Sequence, residues 1–152
     1  MRKLFFFFLM SVLTFQLHAQ ASTTFNLTLN HVALSVKDVN RSASFYSDIL
    51  KFQEITNRTQ MPGIRWFSMG EGKELHLIST VKENVTINKA VHIALMTPDF
   101  DSFVATLDKM KVPYSDWPGT PNKINIRADG IKQIFFQDPD GYWVEVNSVN
   151  QK

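Results

Sequence analysis

Asn30-His31-Val32-Ala33-Leu34-Ser35-Val36 and, 61 positions further on, Val91-His92-Ile93-Ala94-Leu95-Met96-Thr97 are two versions of one pattern. In each, histidine and alanine fall on alternate positions and so share one face of an extended strand. Val32 and Leu34, or Ile93 and Leu95, share the other face. Period-2 alternation of this kind predicts a half-buried strand, and its recurrence predicts a duplicated unit.

Outward from each strand the same order of elements repeats. Asp38 is placed to cap a helix whose stripe is Val39, Ala43, Tyr46, Ile49 and Leu50, stopping near Lys51 and Phe52. Asp99 opens a second helix with Phe103, Leu107 and Met110 on one side, ended by Pro113, which lacks an amide hydrogen and clashes with the preceding turn. Short extended runs follow each helix: 52–58, 64–69 and 74–80 in the first half, then 114–116, 123–128, 131–137 and 142–148 in the second. The tetrapeptide Asp138-Pro139-Asp140-Gly141 suits a type I turn before the last run. Strands in consecutive groups rather than strict alternation with helices predict an α+β fold of two βαβββ modules, about 27–80 and 89–149.

The first 21 residues stand outside that scheme. Arg2 and Lys3, the apolar run Leu4–Leu17 and the small residues Ala19 and Ala21 have the layout of a secretory signal peptide, cut after Ala19 or Ala21. The run is short for a membrane span, which needs roughly 20 apolar residues. The expectation is an exported protein, periplasmic or secreted, with no membrane attachment once the signal is removed. Loss of Arg2 and Lys3 leaves 14 basic side chains against 14 acidic ones, so no electrostatic footprint for nucleic acid remains. Cysteine is absent, which excludes disulfides, thiolate ligands and a thiol nucleophile.

Of the four histidines, His18 falls in the signal and His31, His76 and His92 all fall in predicted strands. His76 lies in the last strand of the first half, and Glu145 in the last strand of the second, each between apolar neighbours. A two-fold relation between the halves would bring His31, His76, His92 and Glu145 around one point. Buried imidazoles and a carboxylate are costly unless paired or coordinated, and a nitrogen and oxygen donor set without sulfur suits divalent Zn, Ni, Fe, Co or Mn. Glu145 and His76 are also the candidates to move a proton, and Glu74, on the face of His76, is a substitute ligand if not a solvated charge. Trp66, Trp143, Phe135 and Met96 belong to the same inward face, as pocket lining or plain core. Arg65, Arg127 and Lys123 are either anion-binding groups or ordinary surface charges.

These segments, with Asp38 through Ser44-Phe45-Tyr46 and Phe136-Gln137-Asp138-Pro139-Asp140-Gly141-Tyr142-Trp143-Val144-Glu145, resemble the vicinal oxygen chelate superfamily of glyoxalase I, bleomycin and fosfomycin resistance proteins and extradiol dioxygenases. The resemblance implies that the two βαβββ modules form a curved mixed sheet around a metal-binding cavity, with ligands at the positions of His31, His76, His92 and Glu145. It implies a small oxygen-chelating substrate and lyase or isomerase chemistry, or, in the resistance branch, binding of a drug or metabolite without turnover. His76 departs from the glutamate usual in glyoxalase I and counts against lactoylglutathione lyase activity, as does export. His31, His92 and Glu145 are similar to the iron triad of dioxygenases, which are typically longer chains. The superfamily builds its site within one chain or between modules of a homodimer, and both remain open here.

Overall fold

The computed structural model describes residues 27–149, and the expected signal peptide lies outside them. The chain runs β1 (His31–Ser35), α1 (Val39–Asp48), β2 (Gln53–Ile55), β3 (Ile64–Gly70), β4 (Lys73–Ile78), β5 (His92–Thr97), α2 (Phe100–Met110), β6 (Tyr114–Ser115), β7 (Asn125–Ile126), β8 (Lys132–Gln137) and β9 (Trp143–Ser148). This is an α+β fold of two related halves. Among the described residues no helix is long and apolar enough to cross a membrane.

Each half folds its first and last strands side by side. In the first, β1 pairs parallel with β4, and β3 and β2 follow antiparallel, giving the order β1-β4-β3-β2. In the second, β5 pairs parallel with β9, then β8 and β6 follow. The strands thus form two sheets, with no ladder joining β1 to β5 among the described residues, where one continuous curved sheet was expected.

The second half departs from βαβββ in one respect. β6 and β7 both pair with β8, at Tyr114 opposite Phe136 and Asn125 opposite Gln133, so they lie end to end where the first half has β2. The interruption is the loop after Ser115. There the Asp116 carboxylate accepts from the amides of Gly119 and Thr120 at 3.0 and 2.7 Å and turns the chain away from the sheet.

Local chemistry explains the helices. Asp38 Oδ1 accepts from the amides of Asn40 and Arg41, satisfying two orphan donors of α1. Past its end Lys51 takes a left-handed conformation. On α2 the buried residues are Phe100, Val104 and Leu107, while Met110 is exposed, so the apolar stripe is rotated from the expected one. Asp99 makes no side-chain cap, and left-handed Lys111 ends the helix just before Pro113.

Each sheet buries one face under a helix: Leu34, Phe67, Leu75 and Leu77 in the first half, Ile134, Phe136, Val144 and Val146 in the second. α1 joins the two cores, since Phe45 and Leu50 touch both and Ile49 belongs to the second. A polar clasp reinforces the seam. Tyr46 donates to Asp138 Oδ2 at 2.9 Å, the Lys37 amide donates to Asp140 Oδ1 at 2.8 Å, and the Tyr142 hydroxyl donates to the Ser35 carbonyl at 2.9 Å. The Asp138–Gly141 segment closes as the expected turn, with the Gly141 amide donating to the Asp138 carbonyl at 3.1 Å.

Candidate functional site

Strand pairing places the predicted site residues in two matched pairs. Ala33 lies opposite His76 and Ala94 opposite Glu145, so in each half the first-strand histidine sits two residues before the partner of the last-strand group. His31, Glu74, His76 and Trp66 share one face of the first sheet. His92, Trp143, Glu145 and Phe135 share the corresponding face of the second. Both faces are turned away from the helices.

In the first pair the His31 and His76 rings stack, with centroids 4.3 Å apart and planes 13° from parallel. Trp66 stacks on the other side of His76 at 4.1 Å, and the Arg58 guanidinium lies over Trp66 at 4.7 Å. His31 Nδ1 donates to Asn30 Oδ1 at 2.7 Å, because an amide oxygen can only accept, which leaves the Nε2 lone pair open. His76 Nε2 is committed to Glu74 Oε2 at 2.8 Å, and the same carboxylate accepts two bonds from Arg58. The bond from His76 and then that from Arg58 hold Glu74 below the usual glutamate range. Ring lone pairs lie in the ring plane, so an ion in the plane of His31 would stand well off the plane of a parallel His76. As stacked, the two rings cannot both ligate one ion; His76 would have to turn off Glu74 to do so.

The second pair is arranged differently. His92 Nδ1 donates to the Lys89 carbonyl at 2.9 Å, which keeps a proton on Nδ1 and turns Nε2 to the site. That nitrogen faces Glu145 Oε2 at 3.1 Å, while Glu145 Oε1 accepts from Asn147 Nδ2 at 2.6 Å. Glu145 is only 7% exposed. With no proton on Nε2, the ring nitrogen and the carboxylate oxygen are two electron-rich atoms in near contact in a largely buried setting, a repulsion relieved by an added proton or by a cation that both can reach. With metal–ligand bonds of about 2.1 Å, donors at this separation would subtend an angle of about 95°, close to adjacent corners of an octahedron. The donor chemistry and spacing of this pair fit a divalent ion.

The two pairs do not meet in one chain: among the described residues no three His, Asp, Glu or Cys side chains cluster as a metal site would require. Two cavities run along β5, one of about 640 Å³ lined by Leu29, Ala33, His92, Ala94 and Trp143, the other of about 740 Å³ lined by Met69, Met96, Phe103 and Asn147. Of the inward-face candidates, Trp66 and Phe135 are buried and Trp143 is partly buried, whereas Met96 stands 75% exposed. The cationic candidates are engaged elsewhere. Arg65 pairs with Glu54, Arg127 with Asp129 and Lys123 with Asp116. Asn30, Lys89, Arg58 and Asn147 orient the site's side chains yet were not anticipated. Asn147 carries a readable signal, since it lies two residues beyond Glu145 on the same face.

Comparisons with known proteins converge on one family. The model of the Glyoxalase/Bleomycin resistance protein/Dioxygenase superfamily matches residues 28–146. The chain is 28% identical over 131 residues to the metallothiol transferase FosB of Staphylococcus epidermidis, covering 82% of this chain and 84% of that protein. It is 27% identical over 127 residues to Glyoxylase I 4 of Arabidopsis thaliana, covering 78% and 69%. The fold is shared with the solved structure of the oxidase ChaP-H2, at a TM-score of 0.66 and 24% identity over 83% of this chain and 96% of that one.

Proposed function

Because the chain belongs to the glyoxalase/bleomycin resistance protein/dioxygenase superfamily, we propose that it is an exported metal-dependent enzyme acting on a small oxygen-chelating molecule, with lyase or isomerase chemistry. The observation that carries this reading is the opposition of His92 Nε2 and Glu145 Oε2 at 3.1 Å with Nδ1 already committed to a carbonyl. His92, Glu145 and the open Nε2 of His31 would hold the ion, with His76 as a fourth ligand only if its ring turns. When bound, a divalent ion supplies Lewis acidity that polarises substrate oxygens and acidifies an adjacent C–H.

The chain's own residues divide the remaining work. His76 takes up or returns a proton at Nδ1, because Nε2 is held by Glu74 and the ring is braced between His31 and Trp66. Glu145 is kept in register by Asn147 and offers Oε2 to the site. The apolar walls along β5 would line the reacting centre and exclude water from it once that face is covered.

Within this reading a second copy completes the site. His31, Ala33, His92 and Ala94 lie on uncovered sheet faces, flanked by Leu29 at 58% and Val91 at 62% exposure, a surface that another chain would bury. The His31–His76 pair of one protomer would then face the His92–Glu145 pair of its partner. A non-catalytic binding role has one observation in its favour, the apolar cavity beside β5 in a chain whose own ligands stay in two pairs. Elemental analysis of the purified protein separates the two. Stoichiometric divalent metal that is lost in both His92→Ala and Glu145→Ala supports the enzyme. Metal-free protein, with ligand binding undiminished by either substitution, refutes it.

A further inference from the structure

Lys89 lies in the segment joining the two halves, and its side chain is engaged far from its neighbours in sequence. Its ammonium donates to the Asp116 carbonyl at 2.6 Å, the Trp117 carbonyl at 3.0 Å and Ser115 Oγ at 3.3 Å, which uses all three protons. The same nitrogen stands 4.6 Å from the Phe135 ring centre, 4.8 Å from that of Trp143 and 5.7 Å from that of Trp117. A cation among three aromatic faces and two carbonyls is held by electrostatics in a place where water is scarce. Burial accordingly pushes the ammonium below the ordinary lysine range.

Two consequences meet at His92. The Lys89 carbonyl accepts from His92 Nδ1, so the backbone of this residue sets the imidazole's tautomer and rotation. The side chain pins the loop after β6, whose own turn is organised by Asp116, and so brings Trp117 edge-on to Phe135 at 5.3 Å and to His92 at 6.4 Å. Trp117 is nonetheless 49% exposed. A large aromatic ring held in place yet open to solvent beside a candidate ligand is placed to meet a substrate. Among the described residues no other hydrogen bond ties the loop from Trp117 to Thr120 to the segment leading into β5; Lys89 is the strap between them.

We infer that Lys89 is a positioning residue that fixes the His92 ring and straps the Trp117 loop beside it, making Trp117 the wall that selects the substrate's planar or apolar part. The metal arm of this inference rests on the reading of His92 and Glu145 given above; the strap itself does not. The test uses the protein labelled with 5-fluorotryptophan. Its three tryptophans, Trp66, Trp117 and Trp143, give three ¹⁹F resonances, assigned by single Trp→Phe substitutions. Lys89→Met keeps the apolar stem and removes the cation and donors. It is expected to move the Trp117 resonance to that of a solvated indole, raise its acrylamide quenching, leave Trp66 in place and, by unanchoring the backbone whose carbonyl holds His92 Nδ1, weaken Co²⁺ binding roughly tenfold to a hundredfold. Lys89→Arg, which keeps a cation and its donors, is expected to return the Trp117 signal. An unmoved Trp117 in Lys89→Met, a Trp66 resonance that shifts as far, or unchanged Co²⁺ affinity with Trp117 released would overturn the inference. Release of Trp117 in a protein that never binds Co²⁺ would uphold the strap and instead sink the metal reading.

Discussion

Mixing two inactive variants distinguishes a site shared between chains from one built within a chain. His31→Ala removes the first-half ligand and Glu145→Ala removes the second-half one, and the structure keeps these residues in separate pairs. In a two-fold dimer with shared sites, each site takes His31 from one protomer and His92 with Glu145 from the other. Each variant alone then has two damaged sites per dimer. A mixed dimer concentrates both lesions in one site and leaves the other whole. Random exchange makes about half of all dimers mixed, so about one quarter of the wild-type sites return. The assay is metal content after dissociation in mild denaturant, re-association and desalting, against each variant carried through alone. Recovery near one quarter supports the shared arrangement. A mixture that binds no more metal than the variants taken separately, in a protein shown by sedimentation to be dimeric, would refute it.

Three further outcomes follow from the described contacts. Glu74→Leu leaves metal content unchanged, because Glu74 touches His76 and Arg58 rather than the proposed ligands His31, His92 and Glu145; by removing the acceptor it ends the preference for the Nε2–H tautomer of His76 expected in ¹⁵N NMR of the wild type, and a retained preference would disprove the orienting role. Leu75→Ala, emptying a fully buried position between Glu74 and His76, lowers unfolding free energy by about 2–5 kcal/mol in urea titrations. Burial raises Asp138 above the ordinary aspartate range, against bonds from the Tyr142 amide and the Tyr46 hydroxyl that pull it down. A carboxyl whose folded-state pKa is raised stabilises most below the ordinary aspartate value, and that contribution is lost as pH climbs through the raised one. Tyr46→Phe withdraws a donor from the carboxylate, so its destabilisation of about 1–3 kcal/mol is larger at pH 7 than at pH 4. The opposite order would contradict the assignment.

What could be read in advance follows strand chemistry. That His31 and His76, and His92 and Glu145, belong to the first and last strands of their halves is legible; that those strands pair side by side, dividing the four residues into two pairs, is a finding of the structure. Period-2 alternation then fixes which side chains share a face. The separation of β6 from β7 is legible as two extended runs, 114–116 and 123–128; that both lie end to end against β8 is not. That arrangement depends on a carboxylate turning the chain at Asp116 and on a lysine arriving from a segment with no pattern of its own. The stripe of α2 was misjudged for a related reason, since Met110 and Val104 are equally apolar and only the position of the sheet selects between them.

The meeting of the two pairs belongs to a different level. Each pair is bound by ladder hydrogen bonds within its own half. The distance between pairs depends on how one half sits against the other, or against another chain. Tyr46 with Asp138 and Tyr142 with Ser35 lock α1 and β1 onto the turn before β9. That clasp commits the halves of one chain to each other through their helix side, while the faces bearing His31 and His92 look outward. On the proposed reading, a chain locked in this way would bring His31 to His92 and Glu145 by borrowing a face from a second copy. If copies pair as proposed, Tyr46→Phe loosens that pairing as well as the fold, read as a raised dimer dissociation constant in sedimentation; an unchanged constant would separate the clasp from the pairing.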